Sequence, residues 1–146
     1  MSTNEAFIGL RFLVSRLSAD STLAALAPGG VWDTIAPMGT TPVYILVAYQ
    51  AGSDTTTMNG VRLISLPLYQ VKAVGPANMA TAVGAAAAQI DVVLGGKDGL
   101  KNITVSDGLI AACYREQPLI YNDPKLVNGQ MWTMIGGLQR LEIEAN

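Results

Sequence analysis

The chain has 146 residues, enough for one domain whose core needs neither metal nor disulfide. Half of its residues are hydrophobic and only 14% are charged, well below the roughly 25% of an average soluble domain. The net charge of −2 leaves no basic cluster to hold a phosphate backbone, which argues against nucleic-acid binding as the main task.

So little charge predicts that neighbouring molecules cover part of the surface. Histidine is absent, which removes the commonest acid–base group and the commonest metal ligand together. The single cysteine, Cys113, lies in an apolar strand-like run and reads as a small buried hydrophobe. The N-terminal MSTNEAF has no signal-peptide pattern. No run has the length and hydrophobicity of a membrane span; residues 73–90 come closest, but they are alanine and glycine.

Residues 4–18 read as a first helix, capped by Asn4 or Thr3. Phe7, Leu10, Leu13, Val14 and Leu17 form its apolar stripe. Ile8 and Phe12 fall off that stripe, so they are expected either exposed or against something other than the core. A short helical turn over 22–27 follows, ended by Pro28-Gly29-Gly30. Residues 31–35 form a short strand and 43–49 a longer one, dense in β-branched and aromatic residues.

The run AGSDTTTMNG, residues 51–60, has the composition of a loop. Residues 62–74 form the next strand, with Pro67 suggesting a bulge or an edge. Strands 43–50 and 61–74 pair antiparallel around the loop. The central segment, 75–96, reads as a helix opened by Pro76 at its first position and ended by Gly95-Gly96. Brief strand sequence at 103–106 precedes strands at 109–121 and 130–143, joined by a turn at 122–129. The pattern gives an α+β class: a mostly antiparallel twisted sheet of four to five strands with two main helices packed on it, in one domain spanning 1–146.

The central helix is almost uncharged on every side. Met79, Val83, Ala86, Ile90 and Leu94 form the face expected against the sheet. The opposite face carries Ala77, Thr81, Gly84, Ala85, Ala88 and Val92. Gly84 in mid-helix costs about 1 kcal/mol relative to alanine, which close packing would explain. Two readings stand open: helix one lies across or beside this face, or a neighbouring subunit covers it. Ile8, Phe12, Thr81, Gly84, Ala85, Ala88 and Val92 are therefore the candidate subunit contacts.

Chemistry is hard to place. Asp33, Asp54 and Asp98 fall in separate loop-like segments, and carboxylates in turns are ordinarily caps. Arg115 and Glu116 are adjacent in a strand and point to opposite faces. A serine or threonine nucleophile lacks a histidine base. The glycines give neither a dinucleotide nor a phosphate-loop pattern. No catalytic, metal or cofactor residue is expected. Trp32 and Trp132 are candidate interface anchors.

Several segments in order resemble one protein family. They are LSADSTLAALAPGGVWD (17–33), TPVYILV (41–47), LYQVKAVG (68–75), AAQIDVVL (87–94), AACYREQPLIY (111–121) and the GGLQRL ending (136–141). Together they resemble the tail completion, or tail terminator, proteins of the tailed-phage head–tail junction. The resemblance implies a small α/β fold with a sheet and two helices, and a hexameric ring that caps the tail tube. It implies the tail tube protein and a head-side connector or stopper as partners, and DNA passing the lumen without specific binding. It implies a place in the virion after assembly in the host cytoplasm, and no catalytic residues. The loop 51–60, the Gly30 turn and the alanine-rich helix depart from the pattern. On this reading Asp54, Thr55, Thr56, Thr57, Met58 and Asn59 are candidate contacts to tube or connector. Strands 43–49 and 61–74 are candidates for extending a sheet between neighbours. A head-side connector or stopper and a small-molecule-binding α+β domain are the alternatives.

Overall fold

The computed structural model describes residues 4–127 and 130–145. Thr3 and the end of the expected 122–129 turn lie outside them. The chain is an α+β fold with three α-helices: α1 (Glu5–Ser18), α2 (Ser21–Leu26) and α3 (Ala80–Val93). Its strands are β1 (Val31–Asp33), β2 (Tyr44–Thr56), β3 (Arg62–Pro76), β4 (Leu100–Val105), β5 (Gly108–Val127) and β6 (Gln130–Ala145). They form one six-stranded sheet in the order β1-β2-β3-β6-β5-β4. Every pairing is antiparallel except β1 with β2. The sheet thus has one or two strands more than expected, because β1 and β4 pair as short cover strands on its two margins.

Both long helices lie on one face of the sheet. Leu13 and Leu17 from α1 and Val83, Ala86 and Ile90 from α3 join Ile45, Val47, Tyr69, Val71, Cys113, Leu141 and Ile143 in the core. The other face carries polar pairs: Lys72 with Tyr121, Gln70 with Gln50, and Arg140 with Glu116. Alternate residues along β3 divide between these two faces, as a pleated strand requires.

Asn4 caps α1 by accepting the Phe7 N–H at 3.3 Å. The buried arc of α1 is rotated from the expected stripe. Ile8 and Phe12 are 2% and 8% exposed and belong to the core, whereas Phe7 is 51% exposed. Gly9 and Glu5 explain the shift. Gly9 faces Tyr69 so closely that a Cβ there would lie 2.3 Å from the tyrosine oxygen, and Glu5 is buried beside Arg62. The centre of the buried arc is therefore a glycine and a carboxylate, which a hydrophobic stripe does not register.

The central segment also begins later than its sequence suggests. Gly75 and Pro76 end β3, paired with Thr133 and Trp132 of β6. A 3₁₀ turn, Ala77–Met79, then leads into α3, so Pro76 precedes the turn rather than opening the α-helix. Met79 sits in that turn, 36% exposed, and is not part of the core. The C-terminus behaves as expected: Gly95 has φ +96° and its N–H donates to the Val92 carbonyl.

The polar run 51–60 is mostly strand. Residues 51–56 continue β2 and pair with 62–68 of β3, after a bulge between Tyr49 and Ala51. Serine, threonine and aspartate suit an edge whose side chains face water, and they mask the strand in a composition reading. Only residues 57–61 form the turn. There the Gly60 N–H donates to the Thr57 carbonyl and the Val61 N–H to Thr57 Oγ1. β3 lies between β2 and β6, so it is interior to the sheet and cannot extend it into a neighbour.

Candidate assembly surface

Two surfaces carry the residues singled out by the sequence, and a third borders the first. The first is the outer side of α3. Thr81, Ala85 and Ala88 are exposed and Val92 is 65% exposed. Gly84 is half-buried at the side, where an added Cβ would meet only Ile135 Cδ1, at 3.9 Å. α1 runs beside α3 rather than across it. An open groove of ≈ 590 Å³ separates them, lined by Phe12, Ser15 and Arg16 on one wall and Gln89, Val92 and Val93 on the other. Asp20 closes its end, capping α2 through the Leu23 N–H and accepting from Gln89 Nε2 at 3.0 Å. Ile8 and Phe12 are absorbed into the chain's own core, which removes the reason for expecting them at a subunit contact.

The second surface is the tip of the β2–β3 hairpin. Asp54 Oδ1 accepts from Ser65 Oγ across the ladder at 2.7 Å. Thr55 and Thr56 are exposed, Thr57 closes the turn, and Met58 and Asn59 form its apex. Met58 is fully exposed, with Val61 at 59% and Leu63 at 55%. Such apolar side chains on a projecting turn suit a contact more than a solvated loop.

The third surface was not singled out by the sequence. Between α3 and the β5–β6 strands lies a groove of ≈ 340 Å³ lined by Gly84, Ala88, Arg115, Ile120, Ile135 and Gln139. Ile120 is 77% exposed. Arg115 stands 3.8 Å from Asp91 across its mouth. Gln139 is 2% exposed and its Oε1 has no hydrogen-bond partner among the described residues. A buried polar atom of this kind costs stability unless something pairs with it. The signal in the sequence was Gln139 itself: it occupies a core-facing register position, alternating with Leu141 and Ile143.

The remaining candidates stay apart. Asp33 accepts from Thr34 on β1, Asp54 is in the hairpin, and Asp98 follows α3. Arg115 faces Asp91 while Glu116 faces Arg140, so the two point to opposite sides of β5. Among the described residues no three of His, Cys, Asp and Glu gather as metal ligands. Trp32 is 37% exposed and donates to the Gly29 carbonyl. Trp132 packs on Tyr44 with ring centres 6.1 Å apart, and its Nε1 has no partner among the described residues. Burial pushes the Cys113 thiol up to about 12, so at neutral pH it stays protonated within the core.

No protein-family model and no curated protein matches the sequence. Solved structures do. The fold aligns with a chain of the virion of a native gene transfer agent particle at a TM-score of 0.69. That alignment covers 91% of this chain and 92% of the other, at 20% identity. A second solved chain aligns over 100% of this chain and 99% of its own, at a TM-score of 0.51 and 15% identity. At such identities the shared property is the fold, carried over nearly the whole length of both chains.

Proposed function

We propose that this protein is a structural ring subunit of a phage-type virion, placed at the head–tail junction, where it caps the tail tube and joins it to the connector. The observation that carries the reading is the end-to-end fold likeness to a chain of a gene transfer agent virion. Two features of the surface support it: the uncharged outer side of α3 and the projecting hairpin that ends in Met58. In this reading Thr81, Gly84, Ala85, Ala88 and Val92 contribute to subunit contacts. Residues 54–59 reach the tail tube or the connector. The ring is a hexamer, DNA passes its lumen unbound, and the protein resides in the virion after assembly in the host cytoplasm. Catalysis plays no part.

Native mass measurement of the purified protein, alone and with tail tubes, tests the assembly. A discrete ring, alone or on the tubes, is expected. A chain that stays monomeric and binds neither tube nor connector overturns the proposal. The exposed Met58 tip favours one variant within the same setting, a head-side stopper whose hairpin closes the channel. An image of the particle separates them: a tip on an adjacent ring fits the terminator, and a tip in the pore fits the stopper.

A further inference from the structure

The short outer strands β1 and β4 leave one stretch of β2 and one of β5 uncovered, at opposite corners of the sheet. On one margin β1 covers β2 only at residues 45–47, so the outer edge of β2 is open over 48–56. On the other margin β4 covers β5 only at residues 108–113, so the outer edge of β5 is open over 115–122. Among the described residues no strand lies against either. The two open stretches are nearly equal in length. Following the register from β2 through β3 and β6 to β5, Tyr44 aligns with Val74, Met134 and Tyr121, and Ala51 with Leu68, Arg140 and Tyr114. The open part of β5 therefore lies level with the lower half of β2, and the open part of β2 with the β4-covered part of β5.

We infer that copies of this chain join head to tail through these edges, residues 48–56 of one copy pairing antiparallel with residues 115–122 of the next. This deepens the ring reading and rests on it; it takes residues 54–56 into the junction and leaves the turn at 57–59 for the tube or connector. Direction agrees: β2 and β5 run opposite ways within the sheet, so a sheet continued by rotation brings them together antiparallel. Offset agrees as well. The two open stretches are displaced along the strands by about five residues, or roughly 18 Å, over about 19 Å of sheet width. That corresponds to a strand tilt of roughly 43°, within the range of closed sheets. The cover strands fit the same arrangement, because β1 sits beyond one end of the junction and β4 of the next copy beyond the other.

The edges also complement each other chemically. Asp54 on the β2 edge and Arg115 on the β5 edge both project to the helix side. Full overlap of the two stretches brings them within about two residues of each other. Strand addition places the incoming side chains beside the groove that holds Ile120 and the unpartnered Gln139 Oε1. Pro118 withholds one N–H, so the ladder is incomplete at that position, and the bulge between Arg115 and Gln117 marks its other limit.

Cysteine pairing tests the inference in a Cys113→Ala background. Ser53→Cys is combined with Gln117→Cys or Leu119→Cys, all on the sheet face away from the helices. Directly opposed strand residues have Cα atoms about 5 Å apart, within disulfide range. Mild oxidation, with the protein alone and on tail tubes, is expected to give a ladder of linked chains that ends at the ring size. Mixing the single variants is expected to give linked pairs of unlike chains. A ring seen by native mass, with no link at either edge pair, overturns edge pairing and leaves the ring standing. A chain that remains monomeric throughout overturns both.

Discussion

Cys113 illustrates what burial does to a single group. It lies in the middle of β5 against the core, and loss of water raises its thiol from 9.0 to about 12. Tyr69, buried and donating to the Ala6 carbonyl, is raised for the same reason. Above pH 9 the unfolded chain releases the thiol proton while the folded chain keeps it. Stability is therefore intact below pH 9 and falls as pH climbs toward 12, by up to about 1.4 kcal/mol per pH unit for one thiol. Urea unfolding at pH 8 and pH 10.5 is expected to show this loss, and Cys113→Ala to lessen it. Arg140 acts in the opposite range. Its guanidinium bonds both Glu116 oxygens on β5 and the Leu66 carbonyl on β3, tying three strands together from β6. The Arg140 hydrogen bond holds the Glu116 carboxyl below its ordinary value, so its contribution is present above pH 4.5 and fades as pH falls below it. Because the pair is partly exposed, Glu116→Gln is expected to cost under about 1 kcal/mol at pH 7 and less still at pH 3. Gly84 gives a third residue-scale expectation. Its side is open to within 3.9 Å of Ile135, so Gly84→Ala is expected to raise stability in urea by about 0.5–1 kcal/mol.

At the scale of elements, the hairpin is where composition and structure part. Residues 51–56 are polar and small, yet they pair with β3 over the whole stretch, with one register shift between Thr55 and Thr56. A strand with water on its outer edge and both faces has no need of hydrophobic alternation, so its sequence reads as a loop. Asp54 and Ser65 form the cross-strand bond that steadies this part. Asp54→Ala is expected to lower the melting temperature slightly, consistent with about 0.5–1.5 kcal/mol, and to raise amide exchange in residues 52–57. Melting by circular dichroism and exchange mass spectrometry check the two effects. The α+β class, the 43–49 strand, the glycine stop of α3 and the burial of Cys113 were legible because each leaves a local pattern. The rotation of α1 was not, since its inner line is Glu5, Gly9 and Tyr69's hydroxyl. The late start of α3 was hidden for a related reason: Gly75 and Pro76 suit a helix entrance, and the ladder to β6 claims them instead. The groove at Gln139 depends on contacts between elements far apart in sequence.

For the whole molecule, the question is what meets the outer side of α3. The chain's own helix α1 lies beside it and leaves Thr81, Ala85, Ala88 and Val92 in the open. A solvated helix face and a subunit contact respond differently to one added charge. On a solvated face, Ala88→Glu changes stability within about 0.5 kcal/mol and nothing else. In a subunit contact the same carboxylate loses its water without gaining a partner, at a cost of several kcal/mol. The ring reading therefore predicts that Ala85→Glu or Ala88→Glu leaves the melting temperature of the isolated chain nearly unchanged while the discrete oligomer, alone or on tail tubes, dissociates. Native mass measured beside circular dichroism reads both quantities on one sample. An oligomer that persists with either glutamate in place assigns this face to solvent and confines the subunit junction to the sheet edges.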